Sequence, residues 1–206
     1  MSRPASLARQ WTIWIGGWVV VAALFAWSLA PARSGPDRPP SGSTLERLLG
    51  PIASLASSVQ WVRVDLALRR GDDARAYALA ETALRIDPSD PEGWIFLAHH
   101  LFYERGSLLR EPDSAERALW IHAGLATLER GERASRDPGS ILFERGVDLA
   151  FLGSLADEDR AWPASREEAW RLAADAFDRA AAHGQPRAAE AARLARERAP
   201  KRQSGR

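Results

Sequence analysis

Ala83-Leu84-Arg85-Ile86-Asp87-Pro88, followed at Trp94 by Trp94-x-x-Leu97-Ala98-x-x-Leu101, sets the architecture of this chain. The first piece runs apolar residues at helical spacing into Asp-Pro, a combination that ends a helix. Between the two pieces, Asp90-Pro91-Glu92 places a capping side chain, a first-turn Pro and an acid in order, so a second helix opens there. The same punctuation recurs on either side. Ser43-x-x-Glu46, Asp113-x-x-Glu116 and Ser165-x-x-Glu168 are starts; Gly71, Gly106, Asp137-Pro138, Gly153 and Gly184-Gln185-Pro186 are stops. This predicts helices near 54–70, 73–86, 91–104, 114–135, 140–153, 165–183 and 187–198, with a short leading helix near 44–50. No alternation of β-branched residues persists, so everything beyond residue 43 reads as all-α.

The join at Ala83 to Leu101 resembles that between two tetratricopeptide repeats. The family's second helix carries Ala, a large residue and Ala at spacings of four and three. Ala173, Phe177 and Ala180 fit that pattern, and Ala76, Ala80 and Ala83 occupy the same positions. Small residues there let antiparallel helices approach while Trp or Phe fills the groove beside them. The resemblance spans most of residues 55–186. It implies a helical-hairpin solenoid over 44–199, about three repeats plus a capping helix at its end. Trp94, Leu97, Ala98, Leu101, Trp120, Trp170, Ala173, Phe177 and Ala180 would be its packing residues. The spacing departs from the family. Trp120 and Trp170 are 50 residues apart, as are Pro88 and Pro138, and Pro138 to Pro186 is 48, against a family unit of about 34. The second and third repeats are therefore expected to be lengthened, with the additions at 106–113 and 153–165.

The family's groove positions in the second repeat correspond to Glu92, Ile95, His99, Phe102 and Tyr103. There an extended protein or peptide partner would meet His99 and Tyr103 as hydrogen-bonding groups and Ile95 and Phe102 as apolar contacts. Packing of Phe102 and Tyr103 against the 106–113 insertion is the equal alternative. The basic clamp some family members use is not evident, because Lys201 is the single lysine. Arg63, Arg69, Arg70 and Arg105 are either substitutes or a solvated face. Trp162 is a candidate loop anchor, with folding back over the repeat as the other reading. Asp157-Glu158-Asp159 reads as a solvated acidic turn.

No metal, cofactor or catalytic residue is expected. His99 and His100 point about 100° apart on a helix. His100 and Glu104 have ligand spacing, but a third ligand would have to come from His122 or His183. Ser, His and Asp occur in no nucleophile-elbow or phosphate-loop context. The chain is read as no enzyme.

The N-terminal part differs in kind. From Gln10 to Ala32 there is no charged side chain, and Trp11 to Ala30 is 20 mostly apolar residues, which as a helix would be about 30 Å long, a bilayer core's thickness. Trp11, Trp14 and Trp27 lie where indoles prefer the headgroup boundary. Arg3 and Arg9 precede the segment, so residues 1–9 are expected in the cytoplasm, 10–30 as a signal anchor and 31–43, rich in Pro, Gly and Ser, as a spacer. The rest would be extracytoplasmic, at a bacterial inner membrane. Cleavage at Ala30-Pro31-Ala32 is the competing reading. Gly16 and Gly17 admit a neighbouring helix, which makes a homo-oligomer a second functional reading.

Composition narrows the classes. There are 206 residues, no Cys, and 28 Lys+Arg against 27 Asp+Glu; without Arg3 and Arg9 the remainder is 26 basic against 27 acidic. That balance argues against nucleic acid as a partner. Residues 200–206 read as a frayed basic tail. The resulting expectation is a membrane-tethered adaptor or scaffold for another protein, by analogy of layout in envelope assembly or secretion. Its rivals are a self-associating membrane protein and a ligand-binding or catalytic protein released by signal cleavage.

Overall fold

A computed structural model describes residues 44–155, 161–162 and 165–199. The expected anchor at 10–30, the spacer at 31–43, the acidic turn at 157–159 and the tail at 200–206 lie outside the described residues. Among the described residues no helix is long and apolar enough to cross a membrane. The chain divides into a unit ending at Ile52 and a second from Ala53 onward; the packing below is that of the second.

Among the described residues every regular element is a helix. In order they are α1 (Thr44–Arg69), α2 (Asp73–Ile86), α3 (Pro91–His99) continuing into a π-helical turn (His100–Arg105), α4 (Ser114–Ala134), α5 (Pro138–Ser154), α6 (Arg166–Ala182) and α7 (Ala188–Arg198). The leading helix near 44–50 and the helix near 54–70 form one run in α1. Side chains of Asp72, Asp90, Asp113, Asp137 and Ser165 accept the first free N–H groups of α2 to α6, each worth about 1 kcal/mol. Gly71 and Gly184 close α1 and α6 at φ +72° and +79°. At those positions the left-handed backbone lets Asp72 N–H reach the Ala67 carbonyl and Gln185 N–H reach that of Ala180.

Successive helices pair antiparallel, and glycine sets how closely. A Cβ on Gly131 would stand 2.8 Å from Trp94, and one on Gly124 3.2 Å from the Phe102 nitrogen, so α4 lies directly on α3 and its π turn. Gly146 and Gly153 of α5 receive the rings of Phe177 and Trp170 from α6 in the same way, and Gly93 of α3 receives Trp61 from α1. Adding a methyl at Gly146 would bring it within 2.6 Å of two Phe177 ring carbons. Gly146→Ala is therefore expected to destabilise the domain by about 1–3 kcal/mol, with partial recovery when Phe177→Leu is added; unchanged thermal melting of the single variant would contradict this packing.

The core runs in two parts along the stack. Val64, Ala80, Leu84, Trp94, Leu97, Ala98 and Leu101 meet Leu128 and Ile141 in one, while Phe102, Ile121, Leu125, Leu149, Trp170, Ala173 and Phe177 form the other. Ala180 is buried with Leu142 and Ala188. Helix α7 ends the stack by burying Ala188, Ala192 and Ala195 and turning its Arg and Glu residues outward, as a terminal repeat must for solubility. Trp120 departs from the sequence expectation: it is half-buried, beside Tyr77 and beneath the Arg105 guanidinium 4.7 Å away, and so is not the counterpart of the buried Trp170. Arg130 and Arg198 cover Trp94 and Trp170 similarly, at 5.1 and 5.3 Å. Guanidinium groups stack on indole where ammonium groups do so less well, which gives these arginines a packing role.

Candidate functional site

The first helices of successive hairpins, α3 and α5, carry a face that joins several of the expected groove residues to others. Glu92 is exposed in the first turn of α3; Ile95, His99 and Tyr103 are half-buried further along it. From α5, Phe151 is 43% and Val147 36% exposed. The Phe151 ring stands 5.4 Å from that of Tyr103, whose other edge meets the His99 ring at 5.4 Å. Exposed aromatic and branched residues beside polar groups are the usual composition of a protein-contact surface.

A polar cluster underlies this face. Asp148 of α5 is fully buried and accepts a 2.7 Å hydrogen bond from the Tyr103 hydroxyl. His99 Nε2 lies 3.5 Å from Glu144 and 3.6 Å from Asp148. Burial pushes the Asp148 carboxyl up to about 7; the Tyr103 hydrogen bond opposes this and the nearby Glu144 charge adds to it. Burial and then Asp148 hold the Tyr103 phenol well above its ordinary range, so it remains the donor. The second Asp148 oxygen has no hydrogen-bond partner among the described residues. The cluster thus fixes α3 against α5 and orients Tyr103.

Two alternatives that the sequence leaves open are decided here. Phe102 is 2% exposed, packed with Ile121 and Leu125, and so belongs to the core. An α-helical spacing would have kept it near Ile95 and His99, but the chain turns π-helical from His100, which changes the facing of later residues. Gly124 opposite makes room for that turn. Trp162 folds back: its ring centroid lies 4.3 Å from that of His122, the two rings tilted by 39°, and it packs against the core, so it is no free loop anchor.

The remaining candidates are engaged elsewhere. Arg69 pairs with Asp65 at 2.7 Å, Arg105 with Asp73 at 3.0 Å, and Arg63 donates to Gln60. Arg63 and Arg70 line a recess of only about 80 Å³ at the α1–α2 turn with Arg75 and Asp72. His100 faces Tyr77 whereas His122 faces Trp162, so the two do not share a site with Glu104. Among the described residues no group of three or more acidic or His side chains is arranged to hold a metal.

Glu144, Val147, Asp148 and Phe151 were not singled out from sequence. The available signal was Asp148 itself, an acid inside the apolar run Val147 to Leu152, where a charge is costly without a partner.

Residues 58–100 match the family model of the tetratricopeptide repeat. That span covers the second half of α1, all of α2 and α3, and the join from which the fold was read. No curated protein and no solved structure matches the chain.

Proposed function

We propose that this chain, with a tetratricopeptide repeat at residues 58–100, is a membrane-tethered adaptor that holds another protein along the first helices of its stack. A repeat of this family suggests a protein–protein interaction module. The observation that carries the reading is the shared face of Ile95, His99, Tyr103, Val147 and Phe151, contributed by two neighbouring hairpins and fixed from beneath by Asp148. The uncharged run at 10–30 supports the tether, and Arg3 and Arg9 before it support an extracytoplasmic domain at a bacterial inner membrane. Such a layout suits envelope assembly or secretion. The 50- and 48-residue spacings support lengthened second and third repeats. Tethering raises effective concentration, so a modest contact suffices.

The test is capture from detergent-solubilised membranes with the tagged full chain, beside Ile95→Asp and Phe151→Asp variants and a form lacking residues 1–43. The full chain is expected to retain a foreign protein. Each face variant should reduce that recovery by roughly tenfold or more, because a central interface residue commonly contributes over 1.4 kcal/mol. Recovery unaffected by both variants, at unchanged melting temperature, would overturn the proposed face.

A further inference from the structure

Across the packed helices of this chain, acids are met by arginine: Asp73 by Arg105, Glu81 by Arg130, and Glu132 by Arg145 and Arg179. The two carboxylates between α3 and α5 are the departure. Among the described residues neither Glu144 nor Asp148 has an arginine or lysine within ion-pair distance; His99 Nε2 alone stands near, 3.5 Å from one and 3.6 Å from the other. Carboxylates that share a site repel one another until a proton or a cation joins them. One Asp148 oxygen accepts from Tyr103, while the other, like His99 Nε2, is buried without a hydrogen-bond partner among the described residues. The Asp148 side chain is wholly buried, and leaving a buried acceptor unmet is costly. Glu144 is 31% exposed, so the cluster opens to solvent through it.

We propose that the α3–α5 face selects a partner segment bearing an arginine, whose guanidinium lies on the Tyr103 and Phe151 rings and donates to Glu144, with the Asp148 carboxylate beneath as counter-charge. This rests on the reading of that face as the partner-binding surface and names what it recognises. Charge complementarity selects the occupant. Glu92, Glu144 and Asp148 are the acids of the face, and the arginines of the π turn and of α5 are engaged elsewhere, Arg105 by Asp73 and Arg145 by Glu132. The aromatic walls select guanidinium over ammonium. The Tyr103 and Phe151 rings stand 5.4 Å apart at 67°, and a planar cation lies on such a ring while its N–H groups stay free for a carboxylate. The chain uses the same contact internally, with Arg105, Arg130 and Arg198 over Trp120, Trp94 and Trp170. Ile95 and Val147 take the apolar residues that flank the arginine in an extended segment.

The test uses the full chain in detergent and short peptide mixtures, randomised except at the centre, which is fixed as Arg, citrulline, Lys or Glu. Citrulline keeps the shape of arginine and removes its charge. The Arg-centred mixture is expected to be retained roughly tenfold more than the citrulline-centred one, the increment a charge-assisted hydrogen bond supplies. It should exceed the Lys-centred mixture several-fold, and the Glu-centred mixture should be retained least. Glu144→Gln and Asp148→Asn should each lower Arg-centred retention close to the citrulline level, with helical content unchanged because each amide keeps the size of the acid it replaces. Equal retention of the Arg and citrulline mixtures by the wild type would overturn the inference, as would an Arg preference that persists in both variants. Lys retained as strongly as Arg would overturn the choice of guanidinium. A foreign protein captured through Ile95 and Phe151, and held equally by the wild type and both amide variants, would defeat this inference alone and leave the proposed face standing.

Discussion

Trp170→Ala is expected to destabilise the helical domain by about 3–5 kcal/mol, and Trp120→Ala by about 1–2 kcal/mol, even though the two tryptophans are 50 residues apart and begin from similar sequence surroundings. Trp170 is 6% exposed and fits over Gly153, where its indole leaves no room for a Cβ. Truncation there opens a cavity that a glycine-backed helix pair cannot readily fill. Trp120 is half-buried, so less apolar surface is lost, together with the Arg105 contact at 4.7 Å, worth about 0.5–1 kcal/mol at an exposed site. For a domain of about 150 residues each kcal/mol moves the melting temperature by about 2–4 °C. Thermal denaturation followed by circular dichroism therefore separates the variants by several degrees. Equal shifts would show that the two residues are equivalent after all.

The second large effect is a pH dependence centred on Asp148. Its carboxyl ordinarily titrates near 3.8 and here near 7. Below the ordinary value the group is neutral in both the folded and unfolded chain. Between the two values the unfolded chain loses the proton while the folded chain keeps it, so stability falls as pH rises, and it levels off above about 7. The full change is on the order of 4 kcal/mol. The groups facing Asp148 are Tyr103 and His99 from the α3 side and Glu144 on α5. Asp148→Asn keeps an acceptor for the Tyr103 hydroxyl and cannot ionise. It is expected to flatten the profile between pH 4 and 7 and to be the more stable protein at pH 8. Glu81 and Asp137 act oppositely: hydrogen bonds to Arg130 and Ser140 hold their carboxyls below the ordinary range. Their contribution is present above the unfolded values and lost as pH falls further, so it does not mask the Asp148 slope. Urea denaturation across pH 4–8 is the check; parallel profiles for wild type and Asp148→Asn would contradict it.

Much of the helix layout was legible because its punctuation is local. Helix α2 was expected over 73–86 and occupies Asp73–Ile86, since Asp72 caps one end and Asp87-Pro88 stops the other. The π turn was not legible, because it depends on Gly124 lying opposite, a tertiary fact that the periodicity of α3 does not contain. That one turn moved Phe102 from the expected groove into the core. The α3 half of the candidate face is thus the part that sequence names, whereas its α5 half was missed. The first helix of the third hairpin lacks the Trp that marks the second, and Asp148 acquires its meaning only from Tyr103, 45 residues earlier. Trp120 and Trp170 show the same limit: both lie under an arginine, but only Trp170 is also seated on a glycine, Gly153, of the facing helix.

The face made by α3 and α5 is proposed to hold a foreign protein at the membrane. The most direct measurement is site-specific photo-cross-linking in intact membranes, with the probe placed at Ile95 or Phe151 and, as control, at exposed Ala78 on α2. An adduct to one other protein is expected from Ile95 and Phe151 and none from Ala78. Adducts of equal yield from all three positions, or no foreign adduct from Ile95 and Phe151, would contradict it.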